Sequence, residues 1–217
     1  MQIGKNNVLV LGASGGLAQA LIAKFLADKT IDTVIAVSSK PAPEYLNAEQ
    51  SLLWIEIEYI ESAMIGVVEK LKDYRGSISR VCICHGLLHS DNLWPEKRLE
   101  DIKPEALHEI FQANAVVPAL WLKLLHRLLK GKQPVVVAAL SARVGSIGDN
   151  RLGGWYAYRT SKSALNMLLQ TIAVEYARRV KNVKLISFHP GTTDTALSKP
   201  FQATVPEGKL FTPEFVA

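Results

Sequence analysis

Tyr158 and Lys162 are the ends of Tyr158-Arg-Thr-Ser-Lys162, in a segment whose pattern predicts a helix, so the two side chains share one face. An ammonium beside a phenol favours the phenolate and lowers the energy of losing the phenolic proton. Such a pair turns an inert side chain into an acid or base for use near neutral pH. The same spacing also suits a half-buried tyrosine beside a solvated lysine, so a second motif is needed to give it chemical meaning.

That motif is Gly12-Ala13-Ser14-Gly15-Gly16-Leu17-Ala18, which follows the apolar run Val8-Leu9-Val10-Leu11 and precedes the helical pattern Leu21-Ile22-Phe25-Leu26. It predicts strand, glycine turn and helix in succession. Glycines let backbone N–H groups from Gly12, Ser14, Gly15, Gly16 and Leu17 approach a pyrophosphate, and the helix N-terminus adds partial positive charge. The residues before it, from Met1 to Lys5, leave no room for a signal peptide, so the strand is expected to belong to the fold.

To position these motifs the chain must alternate strands and helices. Strands are predicted at 7–11, 33–38, 53–57, 80–84, 134–140 and 184–189, with helices at 16–28, 61–73, 104–130 and 155–180. This order predicts one α/β domain over residues 1–217, a doubly wound parallel sheet with helices on both faces. No internal repeat, low-complexity tract or linker interrupts it.

With these motifs in order, the chain resembles the short-chain dehydrogenase/reductase family from about residue 6 to its last residue. Gly12, Gly16 and Ala18 fall on that family's Gly-x-x-x-Gly-x-Gly turn, with alanine in the third place. Asn114 in Phe111-Gln-Ala-Asn-Ala-Val-Val-Pro118 resembles the family's helix asparagine, and Tyr158 with Lys162 its catalytic pair. Pro190, Gly191, Thr193 and Thr195 resemble its nicotinamide-side loop. The runs Leu140-Ser-Ala-Arg-Val-Gly-Ser146 and Gly153-Gly-Trp-Tyr-Ala-Tyr158 are similar to the branch containing the bacterial C-factor (C-signal) proteins and the insect carbonyl reductase called sniffer.

The resemblance implies a Rossmann-type oxidoreductase that interconverts a carbonyl and an alcohol, with Tyr158 exchanging the proton and Lys162 lowering its pKa while holding the nicotinamide ribose. Asn114 would position a water in the proton relay. The hydroxyl that meets the developing oxyanion is the open assignment. The family's Ser-Ser-x-x-Gly register puts Ala142 in that place, with Ser141 just before it and Ser146 beyond, and Ser141 is the expected donor. The resemblance also implies a further helix and a seventh strand after Ala217, so the sequence reads as lacking both.

Dinucleotide folds that bind NAD place an acid after the second strand. Here Ser38-Ser39-Lys40 carries hydroxyls and an ammonium, which suit the 2′-phosphate of NADP. Glu56 and Ile57 occupy the family's adenine-side position. Gly86 keeps the close backbone approach after the fourth strand, where Ile83-Cys84-His85-Gly86 replaces the common Asn-Asn-Ala-Gly. His85 and His89 lack a third ligand, so no metal site is expected.

The 217 residues, 48% hydrophobic and 21% charged, suffice for one sizeable core, and no apolar run approaches the roughly 20 residues of a membrane span. Cys82 and Cys84, two apart on a strand, are poorly placed for a disulfide and point to a cytoplasmic protein. The net charge of +5 is scattered, which argues against nucleic acid and would attract an anionic dinucleotide. Apolar residues Leu120, Trp121, Leu124, Leu125, Leu128, Leu165, Met167, Leu168 and Ile172 on the two long helices lead us to expect a homodimer. Leu197, Phe201, Val205, Leu210 and Phe211 predict an apolar wall over a carbonyl or alcohol substrate, on a loop able to move. Ala142, the altered residues before Gly86 and the likeness to C-factor keep a second class open, a dinucleotide-binding signalling or regulatory protein with little turnover.

Overall fold

The computed structural model describes residues 5–46 and 48–217. Six strands, β1 (Asn7–Leu11), β2 (Thr33–Ser38), β3 (Leu52–Glu56), β4 (Ile78–Ile83), β5 (Val135–Leu140) and β6 (Val183–Phe188), form one parallel sheet in the order β3-β2-β1-β4-β5-β6. β1 is central and all five of its residues are buried, as expected for a parallel strand covered on both faces. The order reverses beside β1, leaving a crevice at the strands' carboxyl ends where such sheets bind ligands.

The helices are α1 (Gly16–Ala27), α2 (Glu61–Lys70), α3 (Pro104–Phe111), α4 (Val117–Leu129) and α5 (Tyr156–Arg179). Side-chain alternation along the strands divides the core. Leu9 and Leu11 join α2, α4 and α5 through Met64, Val67, Trp121, Leu125, Leu165 and Leu169. Val8 and Val10 point the other way, onto Ala18 and Ile22 of α1. Cys82 and Cys84 pack with this second cluster as free thiols.

The helix expected at 104–130 is two helices. Gln112–Val116 forms a π turn between α3 and α4, in which the Val117 N–H reaches back to the Gln112 carbonyl. Pro118 follows closely after the π turn in α4 and has no N–H to continue the helical ladder there. After β6, short strands β7 (Thr192–Thr193) and β8 (Leu210–Phe211) pair parallel, and α6 (Pro213–Val216) packs against α1. Phe188, Ile186 and Val136 are exposed on β6 and β5. Among the described residues no helix is long and apolar enough to cross a membrane.

The long helices turn much of their apolar surface inward. Trp121, Leu125, Leu128 and Leu165 are buried core, and Leu120, Leu124 and Ile172 pack against it, while Met167 is 67% exposed. The surface left for a partner is therefore smaller than the sequence suggested, because one sheet face absorbs most of it.

Candidate active site

The turn after β1 is shaped for close backbone approach. Gly12 has φ +78°, and a Cβ there would sit 3.0 Å from the His85 nitrogen. Gly15 caps α1 with no side-chain hydrogen bond, and the first turn of α1 carries no acid. Gly15 and Gly16 are exposed, while Leu17 is buried and anchors the helix. The Ser14 carbonyl accepts from Gln19 Nε2 at 3.1 Å. The N-terminus of α1 thus keeps its N–H groups and dipole available to an anion.

At the end of β2, Ser38 is fully buried and its hydroxyl accepts from the Lys40 N–H at 3.0 Å, whereas Ser39 and Lys40 are exposed. Glu56, the register partner of Ser38 on β3, is also exposed. Ile57 is half-buried, and its N–H donates to the Ser38 carbonyl at 2.8 Å.

The segment after β4 is held from below. Asn114 is fully buried; its Nδ2 donates to the Leu87 carbonyl at 2.9 Å and its Oδ1 accepts from the Leu87 N–H at 2.7 Å. Nδ2 also donates to Ser161 Oγ at 3.0 Å, and Ser161 Oγ donates to the Tyr158 carbonyl at 2.9 Å. The π turn thus presents Asn114 as a brace between the Gly86–Leu87 segment and the helix carrying Tyr158. A Cβ on Gly86 would come within 4.0 Å of Lys162 Nζ. His85 accepts from Trp121 Nε1 at 3.1 Å and meets Tyr59 edge-on, a satisfied core histidine that burial and Lys162 push down to about 3. His89 lies elsewhere, stacked on Trp94.

Tyr158 and Lys162 share a face of α5, as their spacing predicts. Both are buried, with Lys162 Nζ 5.8 Å from the Tyr158 ring centroid and donating to the Leu140 carbonyl at 2.9 Å. The electrostatics differ from the expectation that lysine lowers the phenol. Desolvation dominates both groups, raising Tyr158 to about 12 and lowering Lys162 to about 8.

Ser141 does not occupy the place expected of it. Its hydroxyl donates to Asn166 Oδ1 at 2.7 Å, the atom that also accepts from Ser187. Successive side chains of an extended chain alternate, so Ala142 packs with the Tyr158 cluster instead. Ser146 is exposed. The position that the register assigns to a hydroxyl carries a methyl group.

In the loop after β6, Gly191 has φ +76°, and its missing Cβ leaves room for the Phe211 ring. Pro190 is half-buried. Ser198 Oγ donates to the Thr193 carbonyl at 2.6 Å, fixing the turn that carries Thr195. Thr195 Cγ2 would lie 3.2 Å from a Cβ on Gly16, which brings this loop over the glycine turn. Thr193 Oγ1 is buried with no partner. An open helix N-terminus, glycine cradles at Gly12 and Gly16, and an orphaned hydroxyl all fit a bound dinucleotide.

Sequence reasoning missed the surroundings of Tyr158. Trp155 lies edge-on to Tyr158 at 6.2 Å and to Phe201 at 4.9 Å. His89 and Trp94 stack at 5.3 Å, and Phe201 meets His89 at 5.6 Å. Of the residues expected to form an apolar wall, Leu197 and Phe201 join the Tyr158 cluster, whereas Phe211 stacks on Phe215. Trp94 stands in a polar, turn-rich stretch whose only signal was an isolated large aromatic residue.

A family model described as short chain dehydrogenase matches residues 6–206. Benzil reductase ((S)-benzoin forming) of Bacillus cereus is 26% identical over 234 residues, covering 97% of this chain and 90% of that protein. C-signal of Myxococcus xanthus is 33% identical over 111 residues, covering 50% and 63%. In structure, the carbonyl reductase Sniffer of D. melanogaster superposes with a TM-score of 0.81 at 21% identity, over 98% of this chain and 88% of that one. An NADPH-bound carbonyl reductase from chicken fatty liver gives 0.77 at 21% identity, over 99% and 88%. The likeness of fold and the span of the family match, from β1 through the Thr193–Thr195 loop, agree: the chain belongs to the short-chain dehydrogenase/reductase family and is an oxidoreductase.

Proposed function

We propose that the protein is an NADP-dependent carbonyl reductase in which Tyr158 donates its proton to the carbonyl oxygen. The observation that carries this reading is the convergence of buried Tyr158 and Lys162 with the Gly86 segment that Asn114 braces. The nicotinamide, when bound, supplies the hydride. Gly12, Ser14, Gly15, Gly16 and Leu17 would hold the pyrophosphate, Thr193 and Thr195 with Pro190 and Gly191 the nicotinamide side, and Glu56, Ile57 and Gly86 the adenosine side. Lys162, beside Gly86, would hold the ribose and keep a positive charge near the phenol. The Asn114 side chain is spent on Leu87 and Ser161, so a water relay through this residue would use its backbone carbonyl.

Exposed Ser39 and Lys40, with no carboxylate at the end of β2, favour NADP over NAD. The NADPH in the chicken reductase supports the same choice. The apolar side chains of Trp155, Phe201 and Leu197 beside Tyr158, extended outward by Trp94 against Phe201, suit a flat aromatic carbonyl, as does the likeness to a benzil reductase. We place the protein in the cytoplasm on its free thiols, and as a homodimer through the exposed remainder of α3, α4 and α5. A monomer at micromolar concentration by light scattering would remove the latter.

Ala142 favours a second reading, a dinucleotide-binding signalling protein related to C-signal with little turnover. A steady-state assay with NADPH against aryl aldehydes, ketones and diketones separates the two. Turnover on any of them supports the reductase. NADPH binding without turnover on the whole panel supports the second reading.

A further inference from the structure

Helix α5 begins in an unusual way. Gly153, Gly154 and Trp155 are all left-handed, with φ of 65°, 63° and 53°. Among the described residues Trp155 is the one non-glycine with positive φ, a conformation that strains a bulky side chain and persists only where its surroundings hold it. Trp155 is also the N-cap of α5, and its indole offers no acceptor for the helix's free N–H groups.

The missing cap comes from a distant segment. Glu96 is 4% exposed, and its two carboxylate oxygens accept from the Ala157 N–H at 3.3 and 3.2 Å. Its backbone carbonyl accepts from the Trp155 N–H at 2.6 Å, and a Cβ on Gly154 would sit 3.3 Å from that same oxygen. Arg159 Nε closes the turn from the other side by donating to the Gly153 and Gly154 carbonyls at 3.2 and 2.9 Å. No cation pairs with Glu96 among the described residues. A buried carboxylate without a cation is expensive, and what faces this one is the positive end of α5.

We infer that Glu96 is a positioning residue for Tyr158: its carboxylate and carbonyl together set where α5 starts and hold Trp155 in its left-handed conformation. Ala157 immediately precedes Tyr158, so a shift of the first turn moves the phenol directly. The same clamp aims the Trp155 ring at Tyr158 and Phe201 and ties the Trp94 segment to the helix. The inference rests on Tyr158 being the proton donor. A generic cap could have come from serine or aspartate at position 155; a tryptophan there with its cap outsourced to Glu96 couples helix start and pocket wall.

The test compares Glu96→Gln, Glu96→Ala and Tyr158→Phe by kcat, carbonyl KM and NADPH Kd. Glu96→Gln keeps an acceptor oxygen of the same reach and is expected to fold. Misplacement of a reacting group by about 1 Å can cost about 10²-fold, so Glu96→Ala should lower kcat by roughly tenfold or more with NADPH Kd within about twofold. Glu96→Gln should recover most of that loss while staying about two- to threefold below the parent, since a neutral acceptor bonds less strongly than a charged one. If the alanine variant does not fold, the loss in the glutamine variant carries the test. Parental kcat in Glu96→Gln, or NADPH affinity falling in step with kcat, would overturn the inference. Turnover retained in Tyr158→Phe would instead overturn the proton-donor assignment, so the two failures are told apart.

Discussion

The turn from Gly12 to Leu17 offers the backbone of one short stretch of chain, with the Gly12 and Ala13 N–H groups tied to the Val37 carbonyl and the start of α1 left open. The surroundings of Tyr158 are side chains drawn from the segment after β4, the start of α5 and the loop after β6. The first region tolerates any side chain that leaves glycine where the backbone turns left-handed. The second depends on which rings meet and on a left-handed tryptophan held by a glutamate some sixty residues away. Binding of the dinucleotide and choice of carbonyl should therefore be separable by mutation.

Gly12→Ala attacks the first region alone. It forces φ +78° on a residue with a Cβ and drives that carbon to 3.0 Å from the His85 nitrogen, so NADPH affinity should fall by about tenfold or more. Equilibrium titration measures it, and unchanged affinity would show that the turn does not hold the ligand. Trp94→Ala attacks the second region. It should raise KM for aryl ketones by about three- to tenfold, the scale of one aromatic contact, with little effect on small aliphatic aldehydes or on NADPH affinity. An equal rise for every carbonyl would remove Trp94 from the substrate wall.

Ser39→Asp probes the rim of the dinucleotide region. A carboxylate beside exposed Lys40 should repel a 2′-phosphate and move preference several-fold toward NAD, in competition titrations of the two. Tighter binding of NAD by the parent protein would contradict the NADP assignment.

The smallest effect is in pH. Tyr158, raised to about 12, and Lys162, lowered to about 8, both carry their protons at neutral pH, the state that carbonyl reduction needs. As pH rises through about 8 Lys162 loses its charge, so kcat/KM for reduction should fall there, while alcohol oxidation, which needs the phenolate, should climb. Reduction that rises across that window would reverse the assigned roles.

The two regions also differ in how much the sequence disclosed. The glycine turn, the Tyr158–Lys162 face and the six strands are local patterns of period and spacing, and the structure keeps them within two or three residues. The expectation for 104–130 missed the π turn, because apolar periodicity runs through it and the extra residue shows only in the backbone bonding. Ser141 was misplaced by one step of strand alternation, which moves a side chain to the opposite face. The roles of Glu96, Trp94 and Trp155 were not legible locally, since each acquires its role from a partner far away in the chain.

The central claim is that one phenol carries the chemistry while other residues carry the binding. Tyr158→Phe, assayed for NADPH Kd and for carbonyl turnover in the same preparation, tests it most directly. Turnover should drop by at least about 10²-fold, the lower scale of general acid catalysis, with Kd within about twofold of the parent. Carbonyl reduction persisting at the parental rate would contradict it.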